Sequence, residues 1–177
     1  MALYLYELVP ATGTATPEPS EVEAIIKRLD TRVRDGGGEL IETQVTQGAT
    51  QVFAVAEFDQ SAAAFDAEAV GAATGTGPDE VHLVGADLAD VKAVRPKAGY
   101  LVEWDIPAEI DMDSYLARKK ANAPKYADVP EVSFLRTYVR EDTDKCLCFY
   151  NAPDEAAVLR ARDAVSTPVD RIHRLQD

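Results

Sequence analysis

The chain contains the same pattern twice, and this internal repeat constrains the fold more than any other sequence feature. Identical residues recur at an offset of 94 positions, as in Thr43 and Thr137. Each copy opens with an aromatic strand that ends in proline (YELVP and EWDIP) and closes with a short strand containing one histidine. The order in each copy is that of the β-α-β-β-α-β ferredoxin-like unit. The sequence therefore predicts an α+β fold of tandem ferredoxin-like repeats that form a fused, pseudo-dimeric α+β barrel.

The repeat also predicts the domain boundaries. We expect a first ferredoxin-like repeat at residues 1–85, a linker at 86–98 and a second repeat at 99–177. The apolar fraction of 46% is sufficient to fill a core in a chain of this length.

Local patterns predict the elements within each copy. In the first copy, Ser20 and Glu23 fit a helical capping box, and Gly36 fits the end of that helix. An alanine-rich stretch at 61–73 predicts a second helix, and Thr74 to Gly77 is expected to be a loop. In the second copy we expect strands from residue 100 and at 133–140, 145–151 and 171–175, with helices at 113–122 and from about 155 to 165.

Composition excludes several classes of partner. A net charge of −13 argues against nucleic-acid binding, which needs clustered Lys and Arg. No apolar run approaches the roughly eighteen residues of a membrane span, and the N-terminus lacks the features of a signal peptide. Two cysteines, too close to staple the fold, suit a reducing compartment. We expect a cytoplasmic protein, either a monomer as a pseudo-dimer or a homodimer. Its acidic, lysine-poor composition is compatible with a high-salt habitat or with an ordinary acidic cytosolic protein.

Strand alternation predicts which side chains share a face of each sheet. In the second copy one face is apolar and should lie under the helices, whereas the other mixes carboxylates, arginine and aromatics. Such a mixture suits a ligand cavity between the repeats. The alternative is a water-filled seam of paired charges, such as Glu103 with Arg136. The predicted ligand-binding residues are Tyr4, Tyr6, Glu42, Glu103, Asp105, Arg136, Tyr138, Cys148 and Tyr150.

The remaining candidates concern metal or redox chemistry. Cys146 and Cys148 lie on one side of a strand, so they could hold a soft metal, form a redox pair, or fill space as small apolar residues. His82 and His173 recur at matched places in the two copies and are the other candidate metal ligands. The basic run Arg118, Lys119 and Lys120 is expected to be a solvated helix face.

The second half resembles the family known as domain of unknown function 4242, whose named member is a bacterial nickel-binding protein. The resembling segments are EWDIP, TYV, DKCLCFYNAPDE and PVDRI. The resemblance implies a ferredoxin-like fold, pairing of two such units, and nickel binding. Many members carry two histidines one turn apart in the last helix, where this chain has Ala161 and Val165. Nickel or another transition metal would therefore need His82, His173, Cys146 and Cys148 instead.

Three functions remain open from the sequence. The first is an uncharacterised binding protein for a small ligand or a metal ion. The second is a cofactor-light isomerase or oxygenase, with Glu103 or Asp105 as base and Arg136 and Tyr138 stabilising an anion. The third is a structural or stress-related interaction module without a site. The sequence favours the first.

Overall fold

The computed structural model describes residues 1–11, 16–62, 66–94 and 97–176. The chain divides into two compact units. Unit one contains Met1–Val81 and Val91–Arg95, and unit two contains His82–Asp90 and Pro96–Leu175.

Unit one has the ferredoxin-like strand order. Its strands lie in the order β2-β3-β1-β4, with antiparallel neighbours. One amphipathic helix covers the sheet and buries Ile25, Leu29 and Val33 against it. The elements are β1 (Ala2–Val9), α1 (Pro19–Asp35), β2 (Gly38–Val45), β3 (Val52–Phe58) and β4 (Thr74–Val84), followed by α2 (Leu88–Val94).

Unit two has the same strand order, β6-β7-β5-β8. Its two helices begin at aspartate caps, because Asp111 accepts from the backbone N–H of Ser114 and Asp154 from that of Ala157, each at 2.8 Å. The elements are β5 (Tyr100–Asp105), α3 (Met112–Asn122), a 3-10 helix (Ala123–Asp128), β6 (Ser133–Arg140), β7 (Lys145–Asn151), α4 (Glu155–Ala164) and β8 (Arg171–Arg174).

Three local predictions in unit one were wrong. Helix α1 begins at Pro19, and its capping contact runs from the Glu18 N–H to the Glu21 carboxylate at 3.2 Å. Of the helix expected at 61–73, the described part contains only a 3-10 turn, Ala67–Val70; residues 63–65 lie outside the described residues. The expected loop from Thr74 is instead part of β4, which pairs with β1 there.

The register of β5 and β7 corrects the predicted faces of unit two. Residues directly opposite each other in an antiparallel pair share a face. Val102 lies opposite Cys148 and Trp104 opposite Cys146, so both thiols lie on the helix-covered face. Tyr150 lies on that face as well. The prediction failed because a slip of one residue between strands exchanges the two faces of a strand completely.

In unit one the alignment of β1 and β3 is not at fault: the face that carries Tyr4 and Tyr6 lies under α1, and a β-bulge moves Glu42 off that face. Tyr4 and Tyr6 pack with α1 on the helix-covered side, beside Ala56 and Ala54. A register shift between Leu40 and Glu42 places Glu42 opposite Val55, on the other face. The nine predicted ligand-binding residues are therefore split between the two faces of their sheets.

No helix in the described part of the chain is long and apolar enough to cross a membrane.

Candidate functional site: a buried thiol pair in unit two

Strand β7 places both cysteines of the chain under the helices of unit two. Cys146 and Cys148 are completely buried, and their Sγ atoms lie 4.0 Å apart. The neighbours of such a pair decide whether it is an inert part of the core or a reactive group, because the thiolate is the nucleophilic form.

Helix α4 brings a cation into this core. The cap at Asp154 sets the phase of the helix, so Ala157, Val158, Ala161 and Arg162 form its buried face. The Arg162 side chain is among the largest fully buried side chains of the protein, with 2% of the residue exposed. A buried charge is costly unless it is paired.

The partners of Arg162 indicate where the compensating negative charge lies. Its Nη1 donates to Cys148 Sγ at 3.3 Å and to Tyr150 Oη at 3.1 Å, and its Nη2 donates to the Pro168 carbonyl at 2.6 Å. Burial raises the pKa of Tyr150 well above its usual range, so this phenol stays neutral. Among these three partners, only the sulfur can carry a negative charge near neutral pH.

Further donors surround the same sulfur. Thr137 Oγ1 donates to Cys148 Sγ at 3.2 Å, and Lys119 Nζ lies at 3.9 Å. A hydrogen bond from Cys146, together with the Lys119 and Arg162 charges, holds the pKa of Cys148 well below its usual range despite burial. The same hydrogen bond and burial raise the pKa of Cys146 well above its usual range. Of the two thiols, Cys148 is therefore the one that loses its proton first.

A small cavity adjoins the two thiols. Its volume is about 20 Å³, close to the smallest cavity that holds one water molecule, about 10–15 Å³. At its rim the Arg118 guanidinium donates to the Ser166 carbonyl and lies over the Trp104 ring, 5.4 Å from the centroid. The cavity is lined by Trp104, Tyr115, Arg118, Lys119, Cys146, Cys148, Arg162 and Thr167.

Polar atoms of the lining have unused hydrogen-bonding capacity. Within the described residues, the buried Arg162 Nε and Arg118 Nε have no hydrogen-bond partner. Buried donors are normally satisfied by protein, water or a bound molecule. The cavity is therefore small and mostly apolar, with unused donors in its lining that suit a small molecule with oxygen acceptors.

Sequence reasoning missed most of this site. Arg118 and Lys119 are half-buried and line the cavity, so the prediction of a solvated face holds only for Lys120. The available signal was Arg162 itself, a charged residue on the apolar stripe of α4. Unit one has no equivalent thiol, since Thr43 faces Ala54 where Thr137 faces Cys148 in unit two.

The opposite face of the unit-two sheet carries a charge network around Glu103. This side chain is 2% exposed and accepts from Lys145 Nζ at 2.9 Å, Arg171 Nε at 2.9 Å and His173 Nε2 at 2.7 Å. Burial alone would raise its pKa, but the hydrogen bonds from His173, Lys145 and Arg171 lower it to about 2. Two hydrogen bonds from Arg171 likewise lower the pKa of Asp105. Both carboxylates are poor bases at neutral pH.

Three further predicted ligand-binding residues contact neighbouring side chains, and their role in binding stays a prediction. Arg136 is 1% exposed and lies over the Phe149 ring, 4.9 Å from its centroid. Tyr138 packs edge-on against the same ring. Glu42 accepts from Gln44 at 3.0 Å. The predicted cavity between the repeats stays a prediction.

The four predicted metal ligands do not form one site. His82 contacts Glu141 at 3.7 Å and is half-exposed, whereas His173 binds Glu103 on the face away from the thiols. Across the described ranges, no group of three His, Cys, Asp or Glu side chains could hold a metal ion.

Comparison with known proteins identifies the fold and one related family. A family model described as "Nickel responsive protein SCO4226-like" matches residues 100–175, which include every residue lining the thiol cavity. No curated protein matches the chain significantly.

Solved structures match along nearly the whole chain. A candidate chlorite dismutase aligns with a TM-score of 0.54 at 12% identity, covering 100% of this chain and 96% of the other. A candidate monooxygenase from Lactobacillus acidophilus gives 0.52 at 9% identity, with 99% and 94% covered. Another from Fusobacterium nucleatum gives 0.52 at 13% identity, with 98% and 90% covered. These likenesses show the fold, which is α+β with tandem ferredoxin-like units, of the dimeric α+β barrel class.

The residues of this chain do not fit nickel, despite the family match. Ala161 and Val165 are buried apolar residues in and just after α4. The thiolate already has two cations beside it, Arg162 and Lys119, which would repel a metal ion. Two sulfurs without a third ligand also fall short of an ordinary transition-metal site.

Proposed function

We propose that this protein acts on a small molecule through a reactive thiol, with Cys148 as the nucleophile. The observation that carries this proposal is the contact of Cys148 Sγ with Arg162 Nη1 at 3.3 Å in a closed core. A guanidinium in that position stabilises the thiolate over the thiol. An ordinary buried cysteine has no such neighbour, and burial alone makes it inert.

The cavity supplies the second requirement of a nucleophile, which is space for the reacting atom. In the proposed reaction, the thiolate electron pair of Cys148 forms a bond to an electrophilic atom in the cavity. The leaving group departs with the electron pair of the broken bond and takes up a proton. Arg162 and Lys119 stabilise the negative charge before the reaction and can stabilise the leaving group during it.

Of the three functions considered from the sequence, this proposal keeps the one that involves a small ligand. It puts the site for that ligand inside unit two. It also differs from the isomerase or oxygenase hypothesis, because the base in that hypothesis was Glu103 or Asp105. Carboxylates with lowered pKa values bind protons weakly, so they are unsuited to that role near neutral pH.

The test is the pH dependence of thiol ionisation in two single-cysteine variants. Cys146→Ser retains a hydroxyl donor next to Cys148, and Cys148→Ser leaves only Cys146. The thiolate absorbance near 240 nm reports ionisation without a reagent that must enter the cavity. We expect Cys148 to ionise well below the usual pKa of a cysteine and Cys146 to ionise only above it. Equal titrations of the two thiols would contradict the proposal.

A further inference from the structure

We propose that the electrophile is hydrogen peroxide, and that Cys146 then closes a disulfide with the oxidised Cys148. This inference rests on the proposed thiolate function and names its substrate class. Three features of the cavity carry it: its size, its donors and the position of the second thiol.

The cavity volume limits the substrate to a very small molecule. About 20 Å³ is available beside the sulfurs, little more than a water molecule requires. Hydrogen peroxide has two non-hydrogen atoms, whereas an organic hydroperoxide carries an alkyl group that this volume does not admit. Peroxide is also uncharged, so the net charge of −13 does not repel it from the protein.

An unused donor suits the oxygen atoms of peroxide. Arg162 lines the cavity, and its buried Nε has no partner among the described residues. Peroxide can accept hydrogen bonds at both oxygens. A donor at the departing oxygen also favours cleavage of the O–O bond, since that oxygen leaves as hydroxide.

The first step balances as a two-electron oxidation of sulfur. The Cys148 thiolate attacks one peroxide oxygen and forms an S–O bond, while the O–O bond breaks. The departing hydroxide takes the bonding pair and the proton of the Cys146 thiol, which lies 4.0 Å from Cys148 Sγ, and becomes water. Cys148 is then a sulfenic acid and Cys146 a thiolate.

The second step uses the position of Cys146. Its thiolate attacks the Cys148 sulfur, an S–S bond forms, and hydroxide leaves and takes a proton from solvent. Overall, one thiolate, one thiol, one peroxide and one proton give a disulfide and two waters. Residues two apart on a strand have Cα atoms about 6.6 Å apart, near the upper end of the range of about 4.4–6.8 Å found for disulfides. Their Cβ atoms point the same way and must approach to about 4.5 Å or less. Closure therefore needs local bending of β7 as well as rotation of the side chains.

The experiment compares wild type, Cys146→Ser and Cys148→Ser, each treated with hydrogen peroxide or with tert-butyl hydroperoxide. Intact mass and tryptic mapping report the products, and dimedone traps any sulfenic acid. We expect wild type to lose two hydrogens as a Cys146–Cys148 disulfide that dithiothreitol reverses. Cys146→Ser should give a dimedone adduct on Cys148, and Cys148→Ser should be inert. tert-Butyl hydroperoxide should react at least about tenfold more slowly, because the cavity excludes it.

The outcomes separate this inference from the proposed function. If the absorbance titration shows a Cys148 thiolate below the usual pKa but peroxide oxidises wild type no faster than free cysteine, the peroxide inference is wrong and the thiolate function stands. If Cys148 neither ionises below the usual pKa nor reacts with peroxide, both fail. Equal rates with the two peroxides, or a dimedone adduct on wild type without a disulfide, would also overturn the inference. Circular dichroism checks that each variant is folded, and the mapping of wild type does not depend on any variant.

Discussion

Replacing Arg162 with glutamine should make the Cys148 thiolate much harder to form. Arg162 Nη1 donates to Cys148 Sγ at 3.3 Å. At that separation, two unit charges in an effective dielectric of about 20 interact by at most about 5 kcal/mol. A hydrogen bond to a charged group typically contributes about 1.5–3 kcal/mol net. The hydrogen-bond range is the better guide, and it corresponds to a factor of about 10–150 in the ionisation constant.

The assay is the pH titration of the thiolate absorbance near 240 nm in the Cys146→Ser background, where Cys148 is the sole thiol. The Arg162→Gln variant should move the midpoint of the titration to higher pH by about one to two units. Arg160→Gln is the matched control, because Arg160 lies on the same helix, is half-exposed, and pairs with Glu131 at 3.0 Å. An unchanged midpoint in Arg162→Gln, or an equal shift in both variants, would refute the role of Arg162.

The other predictions concern the Thr137 hydroxyl, the charge network around Glu103 and nickel binding. Thr137→Val removes a donor 3.2 Å from Cys148 at nearly constant volume, so the same titration should move to higher pH by about 0.7 units, which corresponds to about 1 kcal/mol; an unchanged titration would count against that contact. Glu103→Gln should lower the free energy of unfolding at pH 7 by about 2 kcal/mol, allowing for screening at the half-exposed Arg171. Since the pKa of Glu103 falls from 4.5 to about 2 on folding, this contribution is complete above pH 4.5 and is lost as pH falls toward 2. Urea unfolding should give a smaller difference in the free energy of unfolding between wild type and Glu103→Gln at pH 3 than at pH 7. An equal difference at both pH values would contradict this prediction. Added nickel should leave the thermal unfolding midpoint unchanged. Stoichiometric nickel binding measured by calorimetry would contradict our conclusion that the residues of this chain do not fit the metal.

The fold followed from the sequence because its main signals are local or repetitive. The repeat offset, the strand alternation and the glycines after α1 are all readable in one dimension, and both units have the expected strand order. The helix prediction for 61–73 was wrong. The alanines of this segment fit a helix, but Gly71 adopts a φ of 83° and ends a single 3-10 turn.

The site was less accessible to sequence reasoning because it depends on register. Cys148 shares a face with Val102 only because the two residues are directly opposite each other in β7 and β5. Nothing in the sequence sets that alignment. Arg162 and Cys148 are 14 positions apart on different elements, so their contact needs both the phase of α4 and its placement over the sheet.

The most direct test of the thiolate is the thiolate absorbance near 240 nm, followed through a pH titration of the folded protein. In Cys146→Ser, where Cys148 is the only cysteine, the absorbance should rise at a pH well below about 8.5, the usual pKa of a cysteine. In Cys148→Ser, the remaining Cys146 should ionise above that value. A Cys148 signal that rises at or above the usual pKa would show that Arg162 and its neighbours do not hold a thiolate, and the proposed function would be wrong.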